Sequence, residues 1–505
     1  MKEHDRLIEE LVKNPNKLRE KRPFFRGVDT STISDLKGTI GSKYINEMIT
    51  AEPTTAKVIP VSQDTFMREL DPASHNVLFD DNIPHITMKL KGGGWADIQS
   101  SRMSVPFQRL IKNKQVLHIT GNPLQHTLLS ENPDKKMNDN FILFKQYWLS
   151  RNQEGMKKKM VDTQKSFGDA GLLYYFDYKG RIKSRILSYD KGYVLCPHND
   201  DNGDRILESV VYRNNNILYI DSYDDKYLYR CYSGGAVEDS TTWTFEEPVE
   251  HGFDEIPLIT KRGDVAWNSV QNLIETYEIL YNVFNTIQKR YGWGVLYIKG
   301  NFQDKGKKLA GNIVLNDNSI DGKGDAKFLT PPSPQNTIET LGLIEETIQK
   351  GACTTFILPK DIRLSGDISG IAISLTQSLD LENALQECIE WKNVADKMTR
   401  LFKYGLAKEL VRTNVNPTAV TEFAKMHINA EFRVWKPMNE YEYNQMIQMM
   451  TTSGVLSVET GIELNTLSKP DEKARVDRER KEKEEEERDL TVSGFQNNNN
   501  NNQQQ

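Results

Sequence analysis

Apolar and polar residues follow several distinct rhythms along this chain, and the changes of rhythm divide it into elements. Near the start, Leu7, Ile8 and Leu11 fall on one helical face, which predicts a short helix over 2–13 that breaks at Asn14-Pro15. Residues 24–100 hold no sustained period and read as irregular, with Gly92-Gly93-Gly94 as a flexible turn. Helical spacing returns over 104–117 through Val105, Phe107, Leu110, Ile111 and Val116, and ends at Gly121-Asn122-Pro123. Phe141, Phe144, Tyr147 and Trp148 then predict one helix over 138–165.

From Leu172 the period shortens to two. Segments 172–178, 181–188, 206–213, 217–223, 226–232 and 241–246 are rich in Val, Ile, Tyr and Thr. Turn residues separate them, among them Lys179-Gly180, Asn214-Asn215-Asn216 and Asp224-Asp225, so an antiparallel meander is predicted. A long helix is expected to begin near Asp264, with Leu273, Tyr277, Leu280, Phe284 and Ile287 as its apolar stripe. A Gly-, Lys- and Asn-rich section follows, with strands at 295–299 and 312–315, and Pro331-Pro332-Ser333-Pro334 closes it. Ile338, Leu341, Ile344 and Ile348 mark a second helix. Residues 358–370 break the pattern with Pro359, Gly366 and Gly370, and Ser369 can cap the longest helix, read over 371–411. Two further helices are expected at 439–450 and 457–465, then a charged stretch at 471–489 and a disordered Asn/Gln tail at 496–505.

Composition narrows the chemistry. With 505 residues, several folding units are expected, and no apolar run reaches the length of a membrane span. The N-terminus lacks the apolar core of a secretory signal. Four scattered cysteines without a C-x-x-C pair argue against structural zinc and a disulfide framework, and fit a reducing compartment. A net charge of −6 disfavours DNA wrapping by phosphate neutralisation, so any DNA contact is expected to be loose and non-specific. No phosphate loop, nucleophile elbow or zinc-protease motif is present. Cys196 beside His198, at the end of a predicted strand, reads as a half-buried thiol near a turn rather than a nucleophile with its base. Asp200, Asp201 and Asp204 read as a solvated acidic turn, and Met446, Met449 and Met450 as helix packing. Basic residues concentrate only in Lys299, Lys305, Lys307, Lys308, Lys323 and Lys327, which form either a solvated loop or a contact surface for DNA or an acidic partner.

Several short motifs, in order, carry a resemblance. They are Ile119-Thr120-Gly121-Asn122-Pro123 closing a helix, and Trp148 to Asn152 followed by Phe167-Gly168-Asp169-Ala170-Gly171 entering a Tyr-rich strand. His251-Gly252-Phe253 with Ile256-Pro257 precedes a long helix, and Ser369-Gly370-Ile371-Ala372 opens the longest one. Trp435-Lys436-Pro437-Met438-Asn439-Glu440 and Gly454-Val455-Leu456-Ser457-Val458-Glu459-Thr460 complete the series. In this order the chain resembles the portal (head-to-tail connector) proteins of tailed bacteriophages, particularly the type found in long-tailed Bacillus phages. The motifs do not extend over residues 14–100.

The resemblance implies a predominantly helical α+β portal fold assembled as a dodecameric ring at one capsid vertex. Its regions would be a wing (1–262) with the β meander, stem helices at 263–291 and 334–357, and a small α/β clip at 292–333. A tunnel loop (358–370), a long wing helix (371–413), a helical crown (414–489) and the tail (490–505) would follow. It implies no enzymatic activity and no cofactor or metal. Expected partners are further copies of the chain, non-specific double-stranded DNA, terminase, major capsid and scaffolding proteins, and head-completion or adaptor proteins, with no membrane. The expected place is the virion, and the host cytoplasm during assembly. Lys360 and Arg363 are expected to touch DNA from the tunnel loop, balanced by Asp361 and Asp367; alternatively these charges pair within or between loops. Two other readings stay open: a different ring-forming head–tail adaptor or minor capsid protein, and a metal-dependent nucleic-acid hydrolase, which would need carboxylates converging on a metal.

Overall fold

A computed structural model of the chain describes residues 3–19, 24–26, 59–79, 86–89, 95–98, 101–130, 133–234, 243–291, 295–299, 313–317, 325–329, 335–356, 377–436, 440–465 and 475–482. The predicted first helix is present as α1 (Glu3–Lys13), followed by α2 (Pro15–Leu18). Residues 24–100 correct the expectation of irregular chain. There β1 (Phe24–Arg26) pairs antiparallel with β2 (Ile59–Val61), and Ser62 caps α3 (Gln63–Leu70) by accepting from Thr65 N–H. Then come α4 (Asn76–Phe79) and the antiparallel pair β3 (Ile86–Lys89) and β4 (Trp95–Ile98). Each of these elements is shorter than the window over which a period can be read. The triple glycine lies outside the described residues.

After α5 (Phe107–Thr120) and β5 (Gln125–Leu128), the helix expected over 138–165 is in fact two, α6 (Lys135–Ser150) and α7 (Gln153–Phe167). Between them Asn152 adopts a left-handed conformation with φ of 52°. Asparagine tolerates that region, so the break carries no Gly or Pro signal.

The expected meander is divided between two sheets. The first is three-stranded: β6 (Asp169–Phe176) is flanked by β7 (Ile182–Leu187) and by the later β14 (Leu258–Arg262). The second runs in space β12-β11-β10-β9-β8, built from β8 (Val194–Asn199), β9 (Arg205–Asn214), β10 (Ile217–Tyr223), β11 (Tyr227–Ser233) and β12 (Trp243–Phe245), with β13 (Val249–Glu250) also on β11. Leu195, Val210, Tyr223 and Leu228 of the second sheet meet Leu173, Leu187 and Leu258 of the first. Cys196 turns to the opposite face and is buried with Leu207, Ile220 and Cys231, which removes it from any nucleophilic role. Asp200 accepts from the Asn202 and Asp204 amides, so this carboxylate closes a turn.

The next helix, α8 (Gln271–Tyr291), starts later than Asp264, because turns at 265–270 first bury Val265, Trp267 and Val270. Strand β15 (Val295–Lys299) runs parallel to β16 (Ile313–Asp317) and antiparallel to β17 (Asp325–Leu329), a strand the sequence pattern did not indicate. Helix α9 (Gln335–Gly351) follows. The long rod is α10 (Ser378–Arg412), 35 residues, about 52 Å at 1.5 Å per residue. Its expected start and the Ser369 cap lie outside the described residues. It is followed by α11 (Ala419–Ala424) and β18 (Ile428–Glu431), which pairs with β5.

The chain forms two compact units, one of residues 1–356 and 379–435, the other of 357–378 and 436–505. The second holds α12 (Glu440–Thr452) and α13 (Val458–Leu464). Among the described side chains of α12 the buried one is Ile447, while Met446, Met449 and Met450 are exposed, which corrects their reading as packing residues.

Helix α10 is the spine of the first unit. Trp391, Ala395, Met398, Phe402 and Leu406 pack against Phe144 and Trp148 of α6, α7, and the inner faces of β6 and β7. Gly405 lets the rod approach the sheet, since a Cβ there would lie 2.2 Å from Ile182 Cδ1. In the same core His126 is wedged against Phe144 and Trp148, with ring centroids 5.2 and 4.6 Å away. Burial pushes its pKa down to about 4. The unfolded chain, with an ordinary histidine near 6.5, therefore binds this proton more readily. Stability is full above that value and is lost as pH falls towards 4, by about 3 kcal/mol. The melting temperature of the native chain is expected to fall more steeply over this window than that of His126→Phe; parallel curves would refute the assignment.

Candidate channel site

Helix α8 carries two faces. One is the apolar stripe; the other holds Glu278, Asn282 and Thr286 at i, i+4 and i+8, all buried. These three grip the backbone of 101–105. Thr286 Oγ1 accepts from Ser101 N–H at 2.8 Å, Asn282 Oδ1 from Met103 N–H at 2.7 Å, and Glu278 Oε1 from Val105 N–H at 2.7 Å. Asn282 Nδ2 returns a bond to the Met103 carbonyl, also at 2.7 Å. Four helical residues rise about 6 Å, and two extended residues about 6.6 Å, so alternate amides meet successive turns. The helix thus acts as a strand edge made of side chains.

The ladder continues into α3. Glu278 also faces His75 Nδ1 at 2.7 Å, and the Glu69 carbonyl faces His75 Nε2 at 2.8 Å. Both ring nitrogens meet acceptors, an arrangement that favours the doubly protonated ring. Burial opposes that charge, but the Glu278 carboxylate and the Glu69 carbonyl outweigh it and raise the pKa. Glu69 in turn binds Arg26 through two bonds of 2.7 and 2.8 Å and accepts from Trp267 Nε1 at 2.8 Å. Wide sequence separation hides these pairs; the only local signal is the polar i, i+4, i+8 series on α8.

The C-terminal half of α5 is a second junction. Asp380, in the first turn of α10 and 1% exposed at its side chain, forms an ion pair with Lys114 at 2.9 Å. Its carboxylate also accepts from Thr355 N–H at 2.9 and 3.1 Å and from Thr355 Oγ1 at 3.0 Å. Lys114 donates to the Thr355 carbonyl as well, and Gln115 Nε2 to the Ala352 carbonyl at 2.8 Å. The two ends of the segment 357–376 are therefore tied to each other and to α5. One turn further, His118 and Trp435 exchange bonds of 2.7 and 2.9 Å, where the chain leaves the first unit. Gly121 is required there, because a Cβ would meet Trp435 Cγ at 2.6 Å.

Of the residues singled out in the sequence, Lys360, Asp361, Arg363 and Asp367 lie outside the described residues, between the two ends of that tie. Lys305, Lys307, Lys308 and Lys323 also lie outside them. Lys299 closes the central strand β15, in register with Asp317 of β16 and Asp325 of β17, while Lys327 is in register with Tyr297. Among the described residues, no three His, Cys, Asp or Glu side chains are placed to hold a metal ion, and no helix is long and apolar enough to cross a membrane.

A model of the family "Phage portal protein, SPP1 Gp6-like" matches residues 96–489. The chain belongs to this family. Portal proteins form the DNA-packaging channel of a phage head, as structural proteins and not enzymes, and the family engages DNA, terminase and capsid proteins. The matched region takes in the ladder from Ser101 onward, the Asp380 junction and α12, and leaves out β1, β2 and α3. Among solved structures, the chain is similar to one in the neck of an empty gene transfer agent particle computed with C6 symmetry, at 12% identity, 71% of this chain, 90% of that chain and a TM-score of 0.32. It is also similar to one in the virion of a native gene transfer agent particle, at 12% identity, 84% of this chain, 99% of that chain and a TM-score of 0.31. These likenesses are slight. No curated protein matches.

Proposed function

We propose that this chain is one subunit of a dodecameric portal ring, of the type found in long-tailed Bacillus phages. In it, helices 263–291 and 334–357 form the stem, 292–333 the clip and 358–370 the tunnel loop. The wing is built from 1–262 and the long helix 371–413, the crown from 414–489. The observation that carries this reading is the tie at Asp380: the segment between the second stem helix and the long rod is anchored at both ends, as a loop that projects into a channel requires. A ring repeats each charge by symmetry, so Lys360 and Arg363 become belts of positive charge that Asp361 and Asp367 moderate. The clip lysines, Lys299 to Lys327, offer a contact for DNA or for an acidic partner. Phosphate contacts carry no sequence information, and weak ones let any sequence pass.

During assembly in the host the ring can nucleate the capsid with scaffolding protein and receives terminase for packaging, then head-completion proteins, with which it stays in the virion. Negative-stain images of the purified chain are expected to show rings of about a dozen subunits with a central hole; a compact monomer at every concentration would refute the reading. Reversing Lys360 and Arg363 to glutamate is expected to change the DNA packaged per particle, and unchanged packaging would remove these two residues from the channel.

A further inference from the structure

We infer that successive copies of the chain meet through two oppositely charged strips, one on the first half of α10 and the other on α5 and α7; this rests on the ring reading above. On α10, Leu379, Leu385 and Ile389 are 44%, 56% and 68% exposed. Glu382, Gln386 and Glu390 run along the same face at i, i+4 and i+8, all exposed. Glu382 has no ion-pair partner among the described residues, and Glu390, 66% exposed, is met only at 3.3 Å by Lys261. The strip is therefore apolar with a net acidic edge. On the other strip, Leu110 and Leu117 of α5 are 46% and 40% exposed, one above the other at i and i+7. Lys158 of α7 stands one turn before Asp162, which Lys112 of α5 reaches at 2.8 Å, so it lies alongside α5. Lys158 and its neighbour Lys159 are both exposed, and neither has an ion-pair partner among the described residues.

Each strip is an apolar ridge with charge at its edge, and the charges are complementary. A face of this composition fits a partner interface, where a desolvated apolar centre contributes affinity and the charged rim fixes register. The two strips stand at the same level of the protomer, because Lys114 of α5 is ion-paired to Asp380 and Lys165 of α7 to Glu387. Those two acids share the side of α10 that faces α5 and α7. At 3.6 residues per turn, the exposed strip falls on the opposite side of the rod and faces away from them. Copies related by rotation about a ring axis present one face to a different face at equal height, which is the heterologous contact a closed ring requires. The occupant of the acidic strip is therefore the basic strip of a second copy.

The test uses the full chain in four forms: native, Glu382→Lys with Gln386→Lys, Lys158→Glu with Lys159→Glu, and all four substitutions together. Gln386 is chosen over Glu390 so that the contact with Lys261 within the subunit is left alone. Ring yield is read by native mass spectrometry and negative stain, and folding by the melting curve. Each double variant is expected to lower ring yield by about tenfold or more, because like charges then face each other, with the melting curve of the subunit unchanged. The quadruple variant restores complementarity with the signs exchanged and is expected to recover rings. Native-level rings from either double variant, or folded subunits of the quadruple variant that stay apart, would overturn the inference while leaving the ring reading intact. A native chain that never forms rings overturns both.

Discussion

Asp380→Ala is expected to destabilise the first unit by about 3–5 kcal/mol, since Lys114 would be left with a charge in a mostly enclosed position and no acid to meet it. The Thr355 amide and hydroxyl would lose their acceptor in the same change. Denaturant unfolding of the purified chain measures this. The loss arises from an uncompensated charge more than from a missing attraction, so Asp380→Ala combined with Lys114→Met should be less destabilised than Asp380→Ala alone. Stability within about 1 kcal/mol of native in the single variant would mean that the junction is not closed as described. In assembled particles, the single variant is expected to package less DNA even where rings form, because the ends of segment 357–376 are no longer tied. Rings of normal number with full heads would separate the tie from channel function.

The second large effect is expected at Asn282. Replacing it with leucine keeps the branched shape and removes the bonds to Met103 N–H and O and to the Glu278 carbonyl. Two part-buried backbone groups of the 101–105 strap then lose their partner, at a cost of about 1–3 kcal/mol. Hydrogen exchange should show the Met103 amide losing protection, with Ser101 and Val105 following because their rungs lie on either side. Unchanged exchange at all three amides would rule out the ladder.

The elements with long, clean periods are legible in the sequence. The Val- and Tyr-rich strands and the rod of α10 each bury one face along many residues, and burial is what writes a period into a sequence. The stripe of α8 is legible too, although it is only half-buried and the buried face of that helix is its polar one. Shorter elements are not legible. Strands β14 and β17 and helix α3 take their place from neighbours, and the α6–α7 break rests on one asparagine whose side chain tolerates a left-handed backbone. The divided meander shows the same limit: the strands are recognisable, but β14, from beyond the last hairpin, decides which sheet β6 and β7 join. In the sequence the candidate site shows only as charge. Its lysines and aspartates are visible, whereas the described junctions, Asp380 with Lys114 and Glu278 with His75, join residues hundreds of positions apart and leave little local trace. The charges expected to touch DNA fall outside the described residues; of that stretch the structure describes the two flanks, Thr355 and Asp380.

That anchorage has a consequence for how the protein can vary. Because Thr355 and Asp380 hold each other, closure of the segment between them is provided by its flanks and does not depend on what the segment contains. The entropic cost of closing a loop rises slowly, by about 0.6 kcal/mol for each doubling of length. Insertions, deletions and charge changes between these two anchors are therefore expected to leave α9 and α10 in register, with the Thr355 amide keeping its protection from hydrogen exchange. On the portal reading proposed above, what lines the passage can then change while the frame that carries it stays the same.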